Sequence, residues 1–245
     1  MASSASSLTS DLPVAHSPPP TTLAVLISGG GTNLQALIDA CASKLLPSTS
    51  IIRVISNRQN AYGLKRAANA AIPTTYHNLI AGRYHEKGER DPVKIKEARE
   101  KYDGDLAELV LKDKPDIVVC AGWMHILAPS FLDPLASAKV PVINLHPALP
   151  GRYDGAGAIE RAYKDWQDGN LEDSTTGVMV HYVISEVDRG QPILVREIRI
   201  LDGESLEELI ERIHGVDHDI IVKGVGLATV NLWEERNSSG TGLVA

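Results

Sequence analysis

Leu23-Ala24-Val25-Leu26-Ile27-Ser28-Gly29-Gly30-Gly31-Thr32-Asn33 carries an apolar run straight into a glycine triplet, after which Leu34, Leu37, Ile38 and Cys41 recur at helical spacing. This reads as strand, loop and helix. Working outward, residues 51–56 repeat the strand signal, 57–60 supply a turn, and Leu64, Ala67, Ala68 and Ala71 continue at helical spacing. The charged segment 94–111 has the apolar spacing of an amphipathic helix and leads into a third strand at 116–121, with a fourth at 140–144. Strands that alternate with helices imply parallel pairing through right-handed crossovers. The fold class is therefore α/β, an open and mostly parallel sheet flanked by helices, with ligand sites at the carboxyl ends of its strands.

The second half changes character. Residues 177–184 and 193–200 are β-rich and read as a C-terminal hairpin, joined by a short turn through Asp188-Arg189-Gly190 and closing the sheet edge. Ser205-Leu206-Glu207-Glu208 is a capping box, which starts a long final helix through Leu209, Ile213, Ile220 and Val225. One domain over 23–235 accounts for the chain, with tails at 1–22 and 236–245. The first tail is rich in Ser, Thr and Pro, contains Pro18-Pro19-Pro20 and lacks Lys and Arg, so it reads as disordered and as neither a secretory signal nor a transit peptide.

The chain has 245 residues, is 43% hydrophobic and carries a formal charge of -7. That balance argues against a nucleic-acid surface, which needs a clustered basic face. An anionic ligand must be met locally. No apolar stretch approaches the roughly 20 residues of a membrane helix. Cys41 and Cys120 stand singly, without metal-ligand spacing, and read as reduced thiols, so we expect a cytosolic protein with no metal site. Oligomeric state has no signature in the sequence.

Two stretches carry candidate chemistry. Asn144-Leu145-His146-Pro147 ends the fourth strand, and side chains at i and i+2 share a face, so an amide and an imidazole project together. If Asp188 folds back onto them, the three side chains can polarise a carbonyl, hold an oxyanion and move a proton. The alternative is a histidine packed at a strand end beside an unrelated turn. The loop Ser28 to Asn33 enters a helix, where unpaired amides and the helix dipole favour a phosphate; it is either an anion cradle or a tight turn. Leu34 stands where a dinucleotide fingerprint has its third glycine, and the P-loop lysine is missing. His214, Asp217 and His218 share one helix face and read by themselves as solvated, as does Arg99 in its mixed-charge run. His181, in a β-rich run, reads as a satisfied core histidine, and residues 124–127 either line a pocket or begin a helix.

Taken together, Ile27-Ser28-Gly29-Gly30-Gly31-Thr32-Asn33-Leu34-Gln35-Ala36, Ser56-Asn57, Ala121-Gly122-Trp123-Met124-His125-Ile126-Leu127, Asn144-Leu145-His146-Pro147 and Asp188-Arg189-Gly190 closely resemble the phosphoribosylglycinamide formyltransferase family. The likeness runs from about Leu23 to about Trp233 in one order. It implies a Rossmann-like formyltransferase fold and formylation of the glycinamide amine in purine biosynthesis, with 10-formyltetrahydrofolate as donor co-substrate. It implies Asn144, His146 and Asp188 as the catalytic trio, and Gly31, Thr32, Asn33, His214, Gly215, Val216 and Asp217 as ribotide contacts. It places Arg99, Met124, His125, Ile126, Leu127, Asn144, Ile184, Ser185, Glu186, Val187 and Asp188 around the folate.

This sequence departs from the family pattern at several points. Ala148-Leu149-Pro150-Gly151-Arg152 stands where Ser-Leu-Leu-Pro-Lys is usual, His125 where arginine is common, and Asp217 where glutamate is usual. The connection 79–91 is longer than in compact members. The rival readings are hydrolysis of formyltetrahydrofolate at the same trio, a methionyl-tRNA formyltransferase, a nucleotide-sensing module that uses only the glycine loop, and a dehydrogenase. The tRNA enzyme generally has a further domain, for which this length and acidity leave no room. A dehydrogenase lacks its acidic residue after the second strand, where Ser56-Asn57 stand.

Overall fold

The computed structural model describes residues 19–240. Seven strands form one sheet: β1 (Thr21–Ile27), β2 (Thr49–Ser56), β3 (Thr74–Tyr76), β4 (Ile117–Cys120), β5 (Val142–His146), β6 (Thr175–Tyr182) and β7 (Pro192–Arg199). Their spatial order is β3-β2-β1-β4-β5-β6-β7. The first five pair in parallel, whereas β6 runs antiparallel to both β5 and β7. Six α-helices cover it: α1 (Thr32–Ala42), α2 (Tyr62–Asn69), α3 (Pro92–Lys112), α4 (Pro129–Ser137), α5 (Ala158–Gln167) and α6 (Leu206–Gly240).

The two faces of the sheet follow from the alternation of side chains along its strands. Leu23, Val25 and Ile27 of β1 pack with Leu34 and Leu37 of α1 and with Ile213, Ile220 and Val225 of α6. Ala24 and Leu26 point the other way, onto Tyr102 and Leu106 of α3 and Phe131 and Leu135 of α4. Burial on both faces explains why β1 reads as an unbroken apolar run. Helix starts are fixed locally. The Asp91 side chain accepts from the Val93 amide at 2.9 Å, while Ser205 and Glu208 exchange the capping-box bonds expected of them at 3.2 and 2.8 Å.

Most element boundaries shift by one or two residues from those read in the sequence, and the chain ends and the hairpin differ more informatively. β1 begins at Thr21 and α6 runs to Gly240, because the two ends are tied together. Trp233 Nε1 donates to Thr21 Oγ1 at 2.9 Å, and Asp116 accepts from the Thr22 amide at 2.9 Å and from Arg236 at 2.6 Å. The rest of the two expected tails, 1–18 and 241–245, lies outside the described residues. The hairpin also differs: β6 ends at Tyr182 and β7 starts at Pro192, so its connection is the loop 183–191 and not a tight turn.

Candidate active site

Strand order reverses between β1 and β4, and crevices open at the carboxyl ends of strands at such a switch point. Three segments meet there. Ser28 links the first two: its amide donates to Gly122 O at 2.9 Å and its buried hydroxyl accepts from the Met124 amide at 2.8 Å. The third is the tip of β5, with Asn144 and the buried His146.

Asp188 does return to that tip. Its Oδ1 lies 3.4 Å from Asn144 Nδ2 and 3.4 Å from His181 Nε2, and its Oδ2 lies 3.3 Å from His146 Nδ1. The Gly155 amide also donates to Oδ2, at 2.8 Å. Two features of loop 183–191 make the return possible. Asp188 sits at φ 55°, a left-handed conformation that aspartate adopts more readily than most residues. At Gly190 a Cβ would lie 1.7 Å from Tyr182 O, so no other residue lets the loop close against β6.

The electrostatics separate the acid from the imidazole. Burial alone would raise the Asp188 pKa, but the His181 hydrogen bond, the Gly155 amide and the nearby His146 hold it below the usual carboxylate range. Burial pulls the His146 pKa below its ordinary 6.5, and this outweighs the attraction of Asp188 and the hydrogen bond to Tyr153 O. The two contacts of the ring, to Tyr153 O at 3.2 Å and to Asp188, would suit an imidazolium, yet both are long and desolvation dominates. In the free protein the balance is a carboxylate beside a neutral imidazole.

Gly31 opens α1 at φ 69° with no side-chain cap, and the first helical bond runs from the Gln35 amide to Gly31 O. The amides of Thr32, Asn33 and Leu34 precede that bond and have no intrahelical acceptor, which makes this end of α1 a place for an anion. A Cβ at Gly31 would sit 2.6 Å from Gly63 Cα, so the loop is pressed against α2. Arg66 of α2 donates to Gly30 O at 2.9 Å. α6 packs along α1, β6 and β7. On it His214 and Gly215 are exposed and Val216 is half-buried, but Asp217 is only 5% exposed, so the solvated reading fails for that residue. Its Oδ1 has no hydrogen-bond partner, and the same holds for Asn33 Oδ1. With nothing to offset its burial, Asp217 has its pKa raised from 3.8 to about 7.

Residues expected around the folate fall into two groups. Ile184 and Ser185 line a cavity of about 800 Å³ with Val142, Leu132 and Val183. Ile126 lines another of about 540 Å³ with Lys96 and Arg99 of α3 and Arg90 just before that helix. Met124 and Ile126 are 74% and 59% exposed, whereas Leu127 is buried and His125 turns inward onto Asp103 at 2.8 Å. Glu186 accepts from Ser185 Oγ at 2.8 Å, and Val187 is half-buried. Among the described residues no group of three or more His, Cys, Asp or Glu side chains is arranged to hold a metal ion.

Residues 21–225 match the formyl transferase family profile. The chain belongs to the formyl transferase family. It is 50% identical over 204 residues to phosphoribosylglycinamide formyltransferase of Schizosaccharomyces pombe, which covers 83% of this chain and 94% of that protein. To the Saccharomyces cerevisiae protein of the same name it is 47% identical over 206 residues, covering 82% and 94%. The crystal structure of glycinamide ribonucleotide transformylase 1 from Symbiobacterium toebii superposes with a TM-score of 0.71 at 29% identity, covering 86% of this chain and 88% of that one.

For this formyl transferase, sequence reading missed four groups that surround the trio. His181 is buried as expected, and its Nδ1 donates to Tyr182 O at 2.8 Å, but its Nε2 faces both Asn144 and Asp188 at 3.4 Å. Only strand register could have revealed this, since Asn144 and His181 are directly opposed in the β5–β6 pair. The Gly155 amide and the Tyr153 carbonyl belong to a loop whose shape depends on Arg161 of α5. That guanidinium donates to the carbonyls of Tyr153, Asp154 and Ala156 at 2.7, 2.7 and 2.9 Å. Backbone groups leave no trace in side-chain patterns. The burial of Asp217 did have a signal, because it lies in the stripe of Ile213, Ile220 and Ile221.

Proposed function

We propose that this chain transfers the formyl group of 10-formyltetrahydrofolate to the amine of 5'-phosphoribosylglycinamide, a step of purine biosynthesis. The observation that carries the reading is the contact of Asp188 with both Asn144 and His146 at the mouth of the sheet. The named relatives, matched over most of their length, supply the substrates.

The amine attacks the formyl carbon and forms a new C–N bond; the tetrahedral adduct then expels the folate nitrogen, which takes the proton the amine gives up. Negative charge grows on the formyl oxygen. Asn144 donates its amide to that oxygen, a role its long contacts to Asp188 and His181 leave free. His146 stands beside it, and the growing negative charge favours its imidazolium form, which takes a proton from solvent as the adduct forms and gives it back to solvent when the adduct collapses. Asp188, ionised at neutral pH, accepts the amine proton through a water and returns it to the leaving nitrogen.

The ribotide phosphate takes the amino end of α1 at Gly31, Thr32 and Asn33, with His214, Gly215, Val216 and Asp217 on the α6 side. The unpaired Asn33 and Asp217 oxygens support this, since a buried acceptor without a donor is what a hydroxyl-bearing ligand would satisfy. Formyl folate takes the wall made by the side chains of Met124 and Ile126, backed by the inward-turned His125 and Leu127, and by Ile184, Ser185, Glu186, Val187 and Asp188, with Arg99 facing its acidic end. Met124 and Ile126 are large apolar side chains open to solvent, which suits a flat ring partner. The setting is the cytosol, and the partners are small molecules, with no nucleic acid or membrane. In support, the chain is acidic, its two cysteines are free thiols, and none of its described helices is long and apolar enough to cross a membrane.

The test is an assay of deformylated folate with and without phosphoribosylglycinamide. Release that requires the ribotide is expected. Equal release without it would make the protein a hydrolase.

A further inference from the structure

Asp103 lies on α3, away from the trio, yet it is fully buried and both of its oxygens are engaged. Oδ1 accepts from His125 Nε2 at 2.8 Å and Oδ2 accepts from the Ala128 amide at 2.8 Å. Neither contact is local. The first holds the middle of the loop between β4 and α4, and the second caps α4, whose Ala128 N-cap has no side-chain bond of its own. The His125 ring is wedged edge-on against Tyr102 and Trp123, with centroids 5.1 and 6.2 Å apart. Ser28 Oγ holds the same loop through the Met124 amide. Pinned at 124, 125 and 128, the loop sends His125 and Leu127 inward and leaves Met124 and Ile126 standing in solvent.

We propose that Asp103 and His125 form a latch that holds Met124 and Ile126 in their folate-contacting arrangement before substrate arrives. His125 is thus a positioning residue that acts through the loop and does not touch the folate with its ring. The inference rests on the folate reading of this loop. Two exposed apolar side chains on an unpinned loop would have to be ordered at each binding event, and removing that ordering cost is what preorganisation does. The latch would therefore act on folate affinity and leave the ribotide end and the chemical step alone. A buried carboxylate stripped of its donor should also loosen the loop, since its desolvation is no longer offset.

The test compares wild type with His125→Ala, His125→Arg and Ile126→Ser by steady-state kinetics, and follows the Ala128 amide by native-state hydrogen exchange. His125→Ala should raise the KM for 10-formyltetrahydrofolate about tenfold, the size expected for one charge-assisted hydrogen bond, with the ribotide KM and kcat within about twofold. The Ala128 amide should exchange faster. His125→Arg, which can still donate to Asp103, should restore most of both. Unchanged Ala128 exchange in His125→Ala overturns the latch whatever the kinetics. A folate KM that stays put in His125→Ala while Ile126→Ser raises it shows that the latch does not position the folate surface. If neither variant moves the folate KM although exchange is faster, the folate reading of the loop fails, and the positioning role falls with it.

Discussion

Replacing Asp217 by asparagine should make the protein's stability less sensitive to alkali. Asp217 is 5% exposed on α6, its Oδ1 is unpartnered, and burial raises its pKa from 3.8 to about 7. The folded state therefore keeps this proton up to about pH 7, whereas the unfolded chain releases it near 3.8. Between those values the folded state binds more protons, so its stability falls as pH rises. The contribution is fully present below the lower value and is lost as pH climbs through the upper one. At 1.36 kcal/mol per pH unit the whole span is worth about 4 kcal/mol, of which about 3 kcal/mol is lost between roughly pH 5 and pH 8. Asparagine matches the carboxyl in shape and cannot ionise. Urea unfolding across that range should show the variant gaining about 3 kcal/mol on wild type, with equal m-values. Parallel stability curves for the two proteins would refute the reasoning, because they would mean that Asp217 is paired or wet.

Gly31→Val should raise the ribotide KM severalfold with most of kcat kept, since a Cβ there meets Gly63 Cα at 2.6 Å and φ is 69°; unchanged ribotide affinity would reduce the loop to a turn. Asn144→Ala should lower kcat about a hundredfold, the usual cost of one oxyanion donor, with circular dichroism unchanged. Ser205→Ala removes one half of the box that opens α6 and should cost about 1 kcal/mol in urea unfolding without altering turnover.

Much of this architecture is visible in the residues. β1 and β4 announce themselves because strands buried on both faces are continuous apolar runs, and β2 and β5 show through their shorter apolar stretches. β3 does not, being only Thr74–Tyr76, half exposed and held to the edge by pairing with β2. α4 is masked by Pro129 and Pro134. At the site, the i, i+2 rule is enough to put Asn144 beside His146. What the sequence does not contain is the path of the chain over 183–191, which depends on one left-handed aspartate and one glycine pressed against Tyr182 O. The charge on His146 is likewise a matter of burial, which no local pattern reports. Asp103 sits in a helix rich in charged residues, and only its depth in the structure distinguishes it from its neighbours.

The most direct test of the central claim is single-turnover formyl transfer by Asp188→Asn, with both substrates saturating. Asparagine keeps the size of the side chain but removes the carboxylate that lies against His146 and the Asn144 amide. A folded variant that binds both substrates normally and transfers formyl at least a hundredfold more slowly is the expected result. Transfer at close to the wild-type rate would contradict the claim that this acid carries the chemistry.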